Sequence, residues 1–167
     1  MIHTIAEFER IWVPELEATQ KVLKHLTNAS LSHAAGPEDR TLGRLAWHII
    51  LTLGEMMGRT GLKVTAPEED APVPATAREI LQAYNAAAIS LLEHVKSTWK
   101  DETLKVEDDM YGQRWSRAMT LQALIFHQIH HRAQMTVLMR EAGLDVPGVY
   151  GPARQEWAAF GMQPPSV

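Results

Sequence analysis

Residues 117–143 read RAMTLQALIFHQIHHRAQMTVLMREAG, and they predict the longest helix of the chain. It contains no proline, and no glycine before Gly143, so nothing interrupts a helix from about Arg117 to Ala142. Gly143 falls where a glycine in the left-handed conformation ends many helices. Within this helix His127 and His131 are four residues apart, so their side chains project from adjacent turns of one face and can meet a single ion.

Three further helices are predicted before this one, because apolar residues recur at three- and four-residue spacings. They cover about residues 4–28, 42–59 and 76–100, and the third begins with a capping box, Thr76 with Glu79. A minor helix is predicted at about residues 152–160. Together these elements predict an all-α, antiparallel four-helix bundle with a minor C-terminal helix.

The segment between the third and fourth long helices is open to two interpretations. Residues 101–115 are acidic and then turn through Tyr111 and Gly112. They form either two short strands, at 104–108 and 113–115, or an irregular excursion.

The composition of the chain limits the class of protein to which it can belong. It has 167 residues, 46% hydrophobic and 22% charged, which is typical of one globular domain, here residues 1–167. Lysine and arginine number 16 and aspartate and glutamate 20, so the net charge of −4 gives no basic surface for nucleic acid. With no cysteine, thiolate metal sites and disulfides are excluded. No signal peptide and no membrane span is evident, so we expect a cytoplasmic protein without membrane contact.

His48 is the best third candidate for a metal site. It lies between Trp47 and Ile49 in the most apolar helix, where a neutral imidazole is costly to bury unless both ring nitrogens find partners. Facing helices that supply one and two imidazoles would build a three-histidine site with an open coordination position. The alternative is that the histidines are hydrogen-bonded core residues with no metal role.

Two other residues compete for a role at this site. His130 is adjacent to His131 and three residues from His127, so it is a second-ranked ligand. Glu55 follows His48 by two turns on the same face and could orient an imidazole or join the ion, although it could equally face solvent. The HExxH signature of metalloproteases is absent, because Gln128 follows His127.

Three segments, in this order, resemble the DinB/YfiT-like superfamily of metal-binding four-helix proteins. They are LAWHIILTLGEMM at 45–57, HQIHHRAQMTVLMREAGLDVP at 127–147 and GVYGP at 148–152. The resemblance covers most of the chain and implies that His48, His127 and His131 are the metal ligands. The motif continues through Arg132, Ala133 and Gln134, which makes Gln134 a supporting candidate beside Glu55 and His130. Ala133 replaces the family's more usual glycine, and Gln128 replaces its usual glutamate.

The resemblance also implies a broad function. Some relatives transfer or isomerise with low-molecular-weight thiols such as bacillithiol or mycothiol. We therefore expect a divalent ion, zinc or nickel, a small-molecule substrate and a metal-dependent enzyme that transfers a small thiol or hydrolyses its substrate. The alternative from another class is a non-catalytic, stress-related protein that binds metal or a partner. The apolar breadth of the helices and the family resemblance predict a homodimer.

Overall fold

The structure is a computed structural model that describes residues 2–166. Four α-helices form its body: α1 at Ile5–Leu23, α2 at Leu42–Gly58, α3 at Ala77–Thr98 and α4 at Arg117–Glu141. Short 3-10 helices cover Ala29–Ser32, Asp101–Lys105 and Arg154–Phe160, and two strands, β1 at Glu107–Met110 and β2 at Gln113–Ser116, pair antiparallel. The limits of the predicted domain, residues 1 and 167, lie outside the described residues.

The four helices pack as a bundle with one shared core, which confirms the predicted fold class. Helix α4 packs mainly against α2, and α1 against α3, while contacts of α1 with α4 and of α2 with α3 close the bundle. Helices α1 and α2 therefore lie at opposite corners. The largest fully buried side chains include Trp12, Tyr84, Phe8, Leu53 and Met57. Within residues 2–166, each helix is too short or too polar to cross a membrane.

Side-chain hydroxyls cap the N-termini of the helices. The hydroxyls of Thr41, Thr76 and Ser116 accept hydrogen bonds from backbone N–H groups in the first turns of α2, α3 and α4. The capping box of Thr76 and Glu79 is confirmed. Gly143 has a φ of 74°, so the predicted left-handed residue after α4 is confirmed too.

The first helix ends earlier than predicted, at Leu23 rather than near residue 28. Thr27 and Ser30 exchange backbone-to-hydroxyl hydrogen bonds, with N···O distances of 3.1 and 3.2 Å. Such local bonds offer the backbone an alternative to the helix. Leu26 lies just after the helix and is still buried, at 7% exposed. The apolar spacing that predicted a longer helix therefore continues past its end.

Residues 101–116 form a short 3-10 helix followed by two strands, so the interpretation with two strands is the correct one. A 3-10 helix occupies Asp101–Lys105, and the hairpin follows with β1 three residues later than the predicted strand. Tyr111 and Gly112 form its turn with φ values of 58° and 80°. Both lie in the left-handed region that two-residue hairpin turns need. The minor C-terminal helix is present as the 3-10 helix Arg154–Phe160.

Candidate metal centre

Three histidine side chains meet between α2 and α4. Nε2 of His127 lies 3.2 Å from Nε2 of His48 and 3.1 Å from Nε2 of His131. The rings meet edge to face, with centroids 4.4 to 4.9 Å apart. One ring nitrogen of each residue lies within 4.8 Å of the others, a grouping that could hold a metal ion. The structure thus brings together the three residues predicted as ligands.

Helix packing fixes the positions of these side chains. His127 and His131 occupy adjacent turns of α4, and His48 lies in the middle of α2, the helix against which α4 packs most extensively. Trp47 and Ile49, on either side of His48, are 4% and 1% exposed in the core. The indole N–H of Trp47 also donates to the carbonyl of Ala71, at 2.9 Å. Helix α2 is therefore anchored on both sides of His48.

Gln134 determines the tautomer of His131. Nδ1 of His131 lies 2.7 Å from Oε1 of Gln134, and an amide oxygen can only accept. The Nδ1 atom therefore carries the proton, and Nε2 of His131 turns a lone pair toward His127. The His127 Nε2 atom contacts Nε2 of both His48 and His131, and at most one of these two contacts can then be a hydrogen bond. A cation among the three nitrogens would satisfy every lone pair.

The surroundings keep the imidazoles neutral, which is the state that binds metal. Burial lowers the pKa of His48 to about 4, with the neighbouring His127 and His131 contributing. Burial likewise lowers the pKa of His127 to about 4, with His131 and His130 contributing. The pKa of His131 is also lowered by burial, against the hydrogen bond to Gln134, which raises it. All three rings offer a lone pair at neutral pH.

The geometry fits a small divalent ion. A tetrahedral ion bound to imidazole nitrogens at about 2.0–2.1 Å sets those nitrogens about 3.3 Å apart. The observed Nε2–Nε2 distances of 3.1 and 3.2 Å are close to this value. A set of three neutral nitrogens suits zinc, nickel, cobalt or ferrous iron. Three protein ligands leave a coordination position for a small molecule.

Two cavities adjoin the cluster. The first, of about 570 Å³, lies between α2, α4 and the hairpin, and its lining includes His48, His127, Tyr111 and Trp115. The second, of about 510 Å³, lies at the other end of the cluster, and His131 and Gln134 line it. The imidazoles are therefore reachable from solvent.

Glu55 lies in the wall of the first cavity, beside two of the histidines, without bonding to them. Its Oε2 accepts a hydrogen bond from the hydroxyl of Tyr111, at 2.6 Å, and its Oε1 pairs with Arg59. Burial and this hydrogen bond raise the pKa of Tyr111 to about 12. The predicted role of Glu55 in orienting an imidazole is therefore not a direct contact, and Glu55 instead holds the hairpin tip against the cavity.

His130 lies outside the group of three. Its side chain is exposed on α4, and its ring centroid is 5.0 Å from that of His131. Sequence reasoning missed Arg44 and Arg40, which line the first and second cavities respectively. A signal existed for Arg44, because it precedes His48 by four residues and so shares its helix face.

Gln128 and Arg132 point away from the histidines into a buried polar network. Gln128 is 1% exposed; its Oε1 accepts from the hydroxyl of Tyr84, at 2.8 Å. Arg132 is 2% exposed and pairs with the Glu15 carboxylate, at 2.7 Å. The hydroxyl of Tyr150 donates to the same carboxylate, at 2.6 Å. These two motif residues thus join α4 to the rest of the bundle.

Known proteins resemble the chain along most of its length. The model of the DinB family matches residues 1–165. The uncharacterized protein YrdA of Bacillus subtilis (strain 168) is 44% identical over 167 residues, which is 100% of each chain. A solved DinB-like protein from Bacillus cereus ATCC 10987 is 44% identical with a TM-score of 0.87, covering 90% of this chain and 100% of that one. The DinB-like protein YjoA from Bacillus subtilis shares the fold at 17% identity and a TM-score of 0.68, over 86% of this chain and 96% of that one.

Proposed function

The chain belongs to the DinB family, and from this membership and the histidine cluster we propose that it is a metal-dependent enzyme. It acts on a small molecule, either by transferring a small thiol to an electrophile or by hydrolysis. Zinc and nickel are the ions proposed for the site, since three imidazole nitrogens suit both. The main support for the proposal is that His48 and His127, which lie close enough to His131 to share an ion with it, also line a cavity of about 570 Å³.

Four residues of the chain would hold the ion or orient its ligands. His48, His127 and His131 would hold the ion as neutral ligands, and Gln134 would keep Nε2 of His131 aimed at it. When bound, the ion would lower the pKa of a thiol or water at its open position, so that a nucleophile forms at neutral pH. In thiol transfer, sulfur bonds to the electrophilic carbon, the leaving group departs with its electron pair, and the thiol proton passes to solvent.

The residues that line the first cavity suit a small polar substrate. Arg44 offers a guanidinium, Glu55 a carboxylate and Tyr111 a hydroxyl in one space, and Trp115 provides an apolar surface beside them. Pockets that bind small molecules commonly combine a few placed polar groups with apolar walls. The combination suits a substrate with one polar end near the ion and an apolar part along the tryptophan.

The test is a paired assay of zinc-loaded and nickel-loaded protein. Loss of a simple thiol in the presence of an aryl halide measures transfer, and hydrolysis of a nitrophenyl ester measures the alternative. We expect one of the two rates to exceed the protein-free rate and to be lost in His48→Ala. His25→Ala, an exposed histidine at the end of α1, is the matched control and keeps the rate. Equal rates for wild type and His48→Ala in both assays would contradict catalysis at this cluster.

A further inference from the structure

One face of α2 forms a side of the first cavity, and it carries opposite charges at its two ends. Arg44, His48 and Glu55 all line this cavity. Arg44 precedes His48 by four residues and Glu55 follows it by seven, so the three side chains project from one face of the helix. The positive group therefore lies one turn before the histidine, and the negative group lies two turns after it.

Arg44 has no counter-charge in the part of the chain that the structure describes. Its side chain is exposed, and in residues 2–166 its guanidinium forms no ion pair. Arg59, at the other end of α2, differs: it pairs with Glu55 and lies 4.4 Å from the centre of the Tyr111 ring. A guanidinium has five N–H donors, so Arg44 has donors to offer to a ligand in the cavity.

The acidic groups of the first cavity lie at the end away from Arg44. The carboxylate of Glu55 is already held by Tyr111 and Arg59. Glu69 lines the same cavity. The pKa of Arg59 is raised chiefly by its hydrogen bond to Glu55, with a smaller contribution from Glu69, so both carboxylates lie near that arginine. An anionic ligand is repelled at this end of the cavity and attracted at the Arg44 end.

The charge of Arg44 also acts on the histidine cluster. Burial is the main cause of the lowered pKa of His48, and the two other histidines, Arg40 and Arg44 contribute. An ion held by three neutral imidazoles would add its own positive charge to this part of the cavity. The space between the guanidinium and the cluster therefore favours a negatively charged group.

We propose that Arg44 selects substrates that carry a carboxylate close to the atom that reacts at the ion. The inference rests on the proposed function, because that function places the reaction at the histidine cluster. A planar guanidinium can bind both oxygens of a carboxylate through parallel hydrogen bonds, whereas a neutral amide offers it one oxygen. The carboxylate turns toward Arg44, and the rest of the substrate extends along Trp115. Arg44 takes no part in the bond changes, so it acts through affinity.

Binding of two matched thiols to cobalt-loaded protein tests the inference without turnover. Mercaptopropionate carries a carboxylate, and mercaptopropionamide carries a neutral amide in its place. A thiolate bound to cobalt(II) absorbs strongly in the near ultraviolet, so titration gives the Kd of each thiol. Wild type should bind mercaptopropionate about 10-fold more tightly than the amide. In Arg44→Gln this preference should fall to about twofold or less, while the Kd of the amide stays unchanged.

Arg78→Gln is the matched control, because Arg78 is an exposed arginine in the first turn of α3, as Arg44 is in the first turn of α2. It should keep the full preference for the carboxylate. Arg44→Lys keeps the charge but not the planar fork, and it should keep part of the preference.

The outcomes separate this inference from the proposed function. A preference that survives in Arg44→Gln would mean that the carboxylate binds the cobalt ion itself, and it would overturn the inference. Equal affinity of wild type for the two thiols would overturn it as well. In both cases the thiols still bind the ion, so the proposed function stands. No thiolate absorption with either probe would contradict an open coordination position at the cluster, on which both proposals depend.

Discussion

At the scale of single residues, Gln134 determines which ring nitrogen of His131 carries the proton. Its Oε1 atom accepts from Nδ1 of His131 and so leaves Nε2 of that ring free of a proton. Without this bond, the proton could move to Nε2, where it would block one of three ligand positions. Hydrogen bonds to the outer nitrogen of a ligand imidazole fix its orientation as well as its tautomer.

Gln134→Ala should lower the affinity for zinc by about 10- to 100-fold, which is the usual effect of removing such a supporting hydrogen bond. Gln134 is exposed, so the free energy of unfolding should change little. Competition with a chromophoric chelator measures the affinity. Gln122→Ala, an amide removed from the same helix, is the control. An unchanged zinc affinity in Gln134→Ala would show that Gln134 does not set the tautomer.

Sequence reasoning found the histidines but not what surrounds them. The four-residue spacing of His127 and His131 fixes their direction, because one helix carries both. The environment of Glu55 could not be predicted, because its partner Tyr111 lies 56 residues away in a hairpin that the sequence left undecided. Contacts between distant segments depend on the packing of the bundle, which periodicity does not describe.

At the scale of elements, the buried polar network holds α1, α4 and the C-terminal segment together. The guanidinium of Arg132 bonds to the carboxylate and the backbone carbonyl of Glu15, to Thr19 and to Tyr150. A charge on the apolar face of α1 signals such a partner, and Glu15 lies there beside Leu16 and near Trp12. The identity of that partner could not be read from the sequence.

Arg132→Ala should destabilise the metal-free protein by about 3–5 kcal/mol, because it leaves the Glu15 carboxylate buried without its counter-charge. Glu15 is 8% exposed, so water replaces the lost bonds poorly. Urea denaturation gives the free energy of unfolding. Arg10→Ala, an exposed arginine on α1, is the control and should change it by less than about 0.5 kcal/mol. A loss below 1 kcal/mol in Arg132→Ala would contradict this account of the pair.

At the scale of the whole molecule, the fold protects all three tyrosines from ionising. Burial raises the pKa of Tyr84 in the core and that of Tyr111 to about 12 at the cavity. Burial of its hydroxyl and the bond to Glu15 raise the pKa of Tyr150 at the C-terminal segment. The three residues report on three separate regions, and the same change in pH tests each of them.

Tyrosine ionisation should destabilise the folded protein at high pH. In the unfolded chain the tyrosines lose their protons near pH 10, while the folded chain keeps them. Between pH 10 and the raised folded pKa values the folded state binds more protons, so stability falls as pH rises. The ultraviolet absorbance of tyrosinate should stay low at pH 10 and rise near pH 12 or on unfolding. Three tyrosines ionising near pH 10 in folded protein would contradict the structure.

We propose that α2 and α4 together form one metal site from three histidines. The most direct test is the metal content of tag-free protein reloaded with zinc, for wild type and for four single variants. His48→Ala, His127→Ala and His131→Ala each remove one nitrogen of the cluster, whereas His130→Ala removes an exposed neighbour. We expect about one equivalent of metal in wild type and His130→Ala and a loss of metal in the other three variants. Folded wild-type protein that takes up no divalent ion, or a His130→Ala variant that alone loses it, would contradict the claim.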